Sequence, residues 1–209
     1  MHVRPVSTEL LVSELVDRLT GLLPGQRVRV AIDGPDAADP GGLAAALLTP
    51  LQARSWPALH ISTAGFLRSA SLRLEFGRTN PDSYYEGWFD EAGLRREVLD
   101  PAGPAGSGRI VTRLWDAARD RAAREPYQEL PPDAVVIVSG PLLLGGGLPF
   151  DFTVHLALSL GALARRTEPA EQWTLPALAR YADEVAPASF ADVVVRLDDP
   201  RRPALVLGG

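Results

Sequence analysis

The 209-residue sequence predicts an α/β domain built on a doubly wound parallel sheet, and three observations lead there. Short runs rich in Val and Ile recur along the chain, at residues 27–33 (RVRVAID), 57–62, 134–138 (AVVIV), 152–158 and 192–197 (DVVVRL). Helical patterns separate these runs, which is the arrangement of βαβ units. The AVVIV run has no polar interruption and is bounded by Pro-Pro-Asp and Ser-Gly-Pro, as suits a strand buried on both faces.

Taken in order, residues 7–23 form the first element. Val12, Leu15, Val16, Leu19 and Leu23 recur at helical spacing with Glu14, Asp17 and Arg18 between them, and Pro24-Gly25 stops the helix. The alternating run 27–33 is a strand. A turn at Gly34-Pro35-Asp36 leads into an Ala/Leu helix over 41–52, and 57–62 is a short second strand. Residues 63–130 are polar and arginine-rich, with turn signals at Asn80-Pro81 and over 101–108, and read as short helices and long loops on one face. After the strands at 134–138 and 152–158, residues 160–184 read as helical with a break near 167–173, and 192–197 as the last strand. Ligands of such sheets bind beyond the carboxyl ends of the strands. That places 34–42, 63–68 and 139–147 around one crevice, in a single domain spanning 1–209.

Composition excludes several chemistries. There are no cysteines, so disulfides, thiolate metal sites and cysteine nucleophiles are absent. The three histidines, His2, His60 and His155, have no metal-ligand spacing, and no metal is expected. All 21 basic residues are arginine, so no step can use a lysine. A net charge of −5 argues against nucleic acid as a partner. No apolar run is long enough to span a membrane, and the N-terminus lacks signal-peptide order, so a cytoplasmic protein is expected.

The segment after the first strand carries the most information. A strand, a glycine turn and a small-residue helix are the setting of a phosphate-binding loop, in which backbone N–H groups at a helix N-terminus hold phosphate. The motif G-x-x-x-x-G-K-[ST] would begin at Gly34 and run through Pro35, Asp36, Ala37 and Ala38. It would place its second glycine on Asp39, its lysine on Pro40 and its hydroxyl on Gly41. Asp39 would cap the helix and repel a phosphate, and Pro40 removes a donor while suiting the first helical turn. Read locally, Asp39-Pro40 is a good helix start with no relation to a phosphate loop.

Over residues 28–205 the sequence resembles the uridine kinase-like P-loop proteins of actinobacteria. AIDGPDAA (31–38) is similar to the opening of that family's phosphate loop. GRTNPDSYYEGWFD and LRREVLDP, within 77–101, are similar to its nucleoside-side insertion. RYADEV followed by ADVVVRLDDP, within 180–200, is similar to its last helix and strand. The resemblance implies a P-loop nucleoside-kinase fold, with a nucleoside-side region at about 63–130 and a lid at about 161–174. It implies an acid after the second strand to accept the nucleoside proton, where this chain has Thr63-Ala64-Gly65-Phe66. It implies another acid after AVVIV to organise Mg²⁺, where this chain has Ser139-Gly140-Pro141. Phosphate cradle, base and metal partner are all altered. ATP and Mg²⁺ are cofactors here only if the family's activity survives, and otherwise none is expected.

The remaining candidates each carry two readings. Asp36 either makes an Asx turn or faces a ligand, and Asp33 reads as structural. Arg68, Arg73, Arg78, Arg109 and Arg113 crowd the insertion, and Arg165 and Arg166 fall in the lid. They either fork onto an anion or pair with nearby acids on the surface. Tyr84, Tyr85 and Trp88, with Phe66 and Phe89, either contact a base or sugar or pack a core. Trp173 could anchor the lid, and His155 reads as a satisfied core histidine. Three functions follow: a pseudokinase or binding protein, a divergent nucleoside or small-molecule phosphotransferase using arginines, and an interaction module with no pocket. The expected partner is a small anionic or nucleoside-like ligand, and a homo-oligomer is compatible with everything above.

Overall fold

In a computed structural model, residues 2–22 and 25–207 are described. The strands are β1 (His2–Pro5), β2 (Val28–Asp33), β3 (Ala58–Ser62), β4 (Val135–Gly140), β5 (Phe152–Ala157), β6 (Val193–Arg196) and β7 (Ala204–Leu207). They form one seven-stranded sheet in the order β1-β7-β6-β5-β2-β4-β3. The five strands from β6 to β3 are parallel, while β7 runs antiparallel to both β6 and β1. From central β2 the chain first winds to one side through β3 and β4, then crosses to β5 and β6 on the other. The carboxyl end of β2 is therefore the switch point at which a crevice opens.

The expectation that 192–197 is the last strand is corrected: β1 and β7 extend the sheet beyond it in antiparallel register. Neither segment has the length or alternation to announce a strand. Each depends on the other, since β7 pairs with β6 on one side and β1 on the other. The stop placed at Pro24 lies outside the described residues.

The main helices are α1 (Thr8–Leu22), α2 (Pro40–Ala53), α3 (Pro81–Gly87), α4 (Leu160–Arg166) and α5 (Leu175–Glu184). Helix α1 buries Leu15, Val16 and Leu19 as the spacing predicts, with Leu11 added to the stripe and Val12 only half-buried; Leu23 lies outside the described residues. Helices α1 and α2 cover one face of the sheet, where Val28, Val30 and Ile32 of β2 meet Val135 and Ile137 of β4. On the opposite face Val136 and Val138 join Ala31, Leu94, Val98, Leu99 and Ile110. The AVVIV run is wholly apolar because alternate residues serve two different cores.

Residues 63–130 supply much of the second face. They comprise short helices, among them α3, and two ribbons of paired dipeptides, Arg109–Ile110 with Gln128–Glu129 and Trp115–Asp116 with Arg121–Ala122. Arg29 points to this face from near the start of β2, which would be costly for an unpaired charge. Asp151 answers it with a fork: Nε and a terminal nitrogen of Arg29 donate to its two oxygens at 2.9 and 2.7 Å, and the Arg29 amide donates at 2.8 Å. The two side chains are only 11% and 17% exposed. Asp151→Ala strands the guanidinium against the sheet, and chemical denaturation should show a loss of about 3 kcal/mol. Among the described residues no helix is long and apolar enough to cross a membrane.

Candidate functional site

A cavity of about 790 Å³ opens where the switch point requires it, beyond the carboxyl ends of β2, β3 and β4. All three segments expected around one crevice contribute to it. Pro35, Asp36, Asp39 and Gly41 come from the loop after β2, Thr63 and Ala64 from the turn after β3, and Ser139 and Pro141 from the end of β4. Arg166, at the end of α4, and Glu168, Glu171 and Trp173, between α4 and α5, close the opposite wall. The pocket-free crevice anticipated for an interaction module is not what the chain forms.

Close backbone contacts hold the floor. The Gly34 amide donates to the Gly140 carbonyl at 3.1 Å, joining the ends of β2 and β4. A Cβ on Gly34 would lie 2.9 Å from Cβ of Leu156, and one on Gly140 would strike Thr63. Asp33 is fully buried beneath this floor. One of its oxygens accepts from the Leu143 amide at 2.9 Å, and the other accepts from Nδ1 of His155 at 2.6 Å. The structural readings of Asp33 and of His155 agree with this geometry. Tyr181, whose hydroxyl accepts from the Leu144 amide at 3.0 Å, completes the cluster. Burial, with the nearby Asp33 charge, holds its phenol neutral far above the usual tyrosine range.

Asp39 determines the character of the phosphate-loop segment. Residues Asp36–Ala38 make one tight helical turn, and Asp39 then adopts a left-handed conformation, φ 56° and ψ 56°. This turns its side chain back over the first turn of α2, where one carboxylate oxygen accepts from the Gly42 amide at 2.8 Å. The carboxylate thus occupies the positive end of the helix dipole. Pro40, the first helical residue, has no amide to leave unpaired.

Beside this cap, Nε2 of His60 and Oγ of Ser139 are hydrogen-bonded at 2.7 Å. Ser139 stands at the position where the family resemblance implies a metal-organising acid. Burial lowers the His60 pKa, so the imidazole is neutral at physiological pH. No sequence signal marks this pair: the two residues are 79 positions apart and meet only because β3 and β4 are neighbours in register. Among the described residues no three His, Asp or Glu side chains group closely enough to hold a metal ion.

The aromatic candidates divide. Tyr84 and Trp88 line the cavity with Phe89 and Trp173, their rings tilted against one another at centroid distances of 5.2–5.8 Å. Phe66 is in the core instead, 1% exposed. Tyr85 faces away, bonded to Glu184 at 3.1 Å beneath the Arg180 guanidinium.

The arginines are not gathered. Arg73 is buried, with its guanidinium 5.0 Å from the Trp88 ring and its Nε donating to the Arg68 carbonyl. Arg68 itself lies near Gly87, outside the cavity lining. Arg109 pairs with Glu129 at 3.0 Å on the small ribbon. Arg113 pairs with Glu125 at 2.7 Å and borders a separate, shallower groove. Arg78 and Arg165 are exposed and line neither depression. Arg166 alone lines the cavity, and it donates to the Leu197 carbonyl at 2.5 Å. Four acids share that lining: Asp36, Asp39, Glu168 and Glu171. Asp36 opens to the cavity, but the surrounding walls thin its hydration and raise its pKa.

Two outcomes test this geometry. Asp39→Gly keeps a residue suited to left-handed φ and frees the Gly42 amide. Its cost in stability should be a few tenths of a kcal/mol, against about 1 kcal/mol for Asp39→Ala. His60 is harder to protonate folded than unfolded, so its contribution to stability falls as pH drops below about 6.5 toward its folded pKa. Melting curves of wild type and His60→Gln from pH 8 to 5 should show a shallower acid decline in the variant.

No family model and no curated protein matches the sequence. Solved structures do. A possible uridine kinase from Bacillus stearothermophilus superposes with a TM-score of 0.72 at 18% identity, covering 89% of this chain and 98% of that one. A candidate fructose transport system kinase from Silicibacter sp. TM1040 gives 0.61 at 24% identity, covering 88% and 93%. A D-glycerate 3-kinase from Cryptococcus neoformans gives 0.50 at 14%, covering 86% and 80%. The chain therefore has the mixed α/β fold of these P-loop kinases over most of its length.

Proposed function

We propose that this chain uses a kinase-like fold to bind a small molecule in the cavity beyond β2, and that it does not transfer phosphate from ATP. The observation that carries the reading is the Asp39 cap. A nucleotide's phosphates bind such a loop through free backbone amides and the positive helix end. Here a carboxylate fixed on the Gly42 amide satisfies both. An incoming phosphate would have to displace that hydrogen bond and accept a like charge beside it.

Three further features support the same conclusion. The chain has no lysine to reach the outer phosphates. Gly41 stands at the position of the Mg²⁺-binding hydroxyl, and Ser139, at that of the metal-organising acid, is occupied by His60. Phosphoryl transfer depends almost entirely on positioning and electrostatic stabilisation, so the loss of all these groups removes its basis. The residues present do not fit an ATP–Mg²⁺ complex. What remains is a lined cavity of a size for a nucleoside, a sugar or a similar molecule.

The test is direct. Purified protein with ATP or GTP, Mg²⁺ and uridine or cytidine should form no nucleoside monophosphate, and MgATP should leave the melting temperature unchanged. A bound ligand at about 100 times its dissociation constant stabilises a fold by roughly 2.7 kcal/mol, so real MgATP binding would be visible. Steady turnover would overturn the proposal. If Arg166→Gln abolished that turnover, the arginine-dependent phosphotransferase would take its place.

A further inference from the structure

From the charge and shape of the cavity we infer that its ligand is a small organic cation, carrying an ammonium or similar head group, held among Tyr84 and Trp173 and the carboxylates of Asp36 and Glu171. This deepens the small-molecule reading above and rests on it, while reversing the sign of ligand expected from the arginine count.

The cavity's charge is the first observation. Its lining carries Asp36, Asp39, Glu168 and Glu171 against Arg166 alone. Among the described residues none of the four acids takes part in an ion pair. Asp39 is committed to the helix cap, and the Arg166 guanidinium already donates to the Leu197 carbonyl. The other arginines that could neutralise the site lie outside its lining. A cleft lined by one sign of charge focuses its field and concentrates ligands of the opposite sign.

The aromatic wall is the second. Trp88 and Trp173 stand 5.2 Å apart at 54°, and Tyr84 meets each of them at 5.5–5.6 Å. The three rings pack against one another and together form one wall of the cavity, and the π surface such a wall offers is what attracts an ammonium group. Trp88 already carries one cation, the Arg73 guanidinium, so Tyr84 and Trp173 are the rings left to meet a ligand. That guanidinium stacks 5.0 Å from the Trp88 ring without itself lining the cavity.

The third is independent of both. Tyr84 is only 8% exposed, and its hydroxyl has no hydrogen-bond partner among the described residues. It faces the cavity, and the charges of Asp36 and Glu171 both act on it. A phenol whose ring is buried and whose hydroxyl opens to the cavity with no protein partner among those residues is free to hydrogen-bond a ligand. With the acids balancing the head group, the phenol can donate to or accept from the ligand's polar tail.

Choline is a suitable probe because its charge is fixed and its neutral carbon isostere, 3,3-dimethylbutan-1-ol, has the same shape. Titration of the full chain, followed by calorimetry and by tryptophan fluorescence, should show choline binding at least about tenfold more tightly than the isostere. Glu171→Gln lies on the exposed rim and should leave the fold intact. It should weaken choline roughly tenfold, as should Asp36→Asn, without changing isostere binding. Trp173→Leu should weaken choline selectively, and added salt should weaken it further. Equal affinity for choline and isostere, no binding of choline, or unaltered binding in both acid variants would each overturn the inference. None of those results would produce ATP-dependent turnover, so the small-molecule reading stands or falls separately.

Discussion

The hydrogen bond from the Gly42 amide to the Asp39 carboxylate sets the terms for everything around it. It anchors the start of α2 against the sheet and requires Asp39 to take a left-handed backbone that only a few residue types adopt at low cost. It also places a fixed negative charge at the positive end of the α2 dipole, on the wall of the cavity. The same strand–turn–helix that makes an anion site in one sequence becomes, through one residue, a capped helix beside an acidic cavity.

Beneath the cap the floor of the cavity is closely packed. Asp33 and His155, Gly34 against Leu156, and Gly140 against Thr63 lock the ends of β2, β4 and β5 together from below. Arg29 and Asp151 hold the other end of β2. The cavity is therefore a fixed depression bounded by backbone. Its chemistry comes from what projects into it: one cap, one neutral His–Ser pair, three further acids and a group of tilted rings.

The arginines show how composition can mislead. Their density in residues 63–130 invites an anion-binding reading, yet Arg109 and Arg113 are paired with Glu129 and Glu125, and the Arg73 guanidinium sits 5.0 Å from the Trp88 ring. Sequence counts charges, whereas pairing decides which charges a ligand meets. The acids followed the reverse course. Glu168 and Glu171 attracted no notice in the sequence, and the break between α4 and α5 is what brings them to the cavity wall.

By itself the sequence determined the parallel core of the sheet, the helix start at Asp39-Pro40, the three segments that meet at the switch point, and the absence of lysine and cysteine chemistry. These are local matters of hydrophobic period, turn residues and composition, and each can be read within a dozen positions. Only the tertiary structure decided the two antiparallel edge strands, the His60–Ser139 pair, the burial of Phe66 and the outward turn of Tyr85. It alone decided which aromatic rings and which charges face the cavity. Those outcomes depend on contacts between residues far apart in the chain, formed when strands take their neighbours in register. No local pattern encodes which partner a side chain will find across that distance.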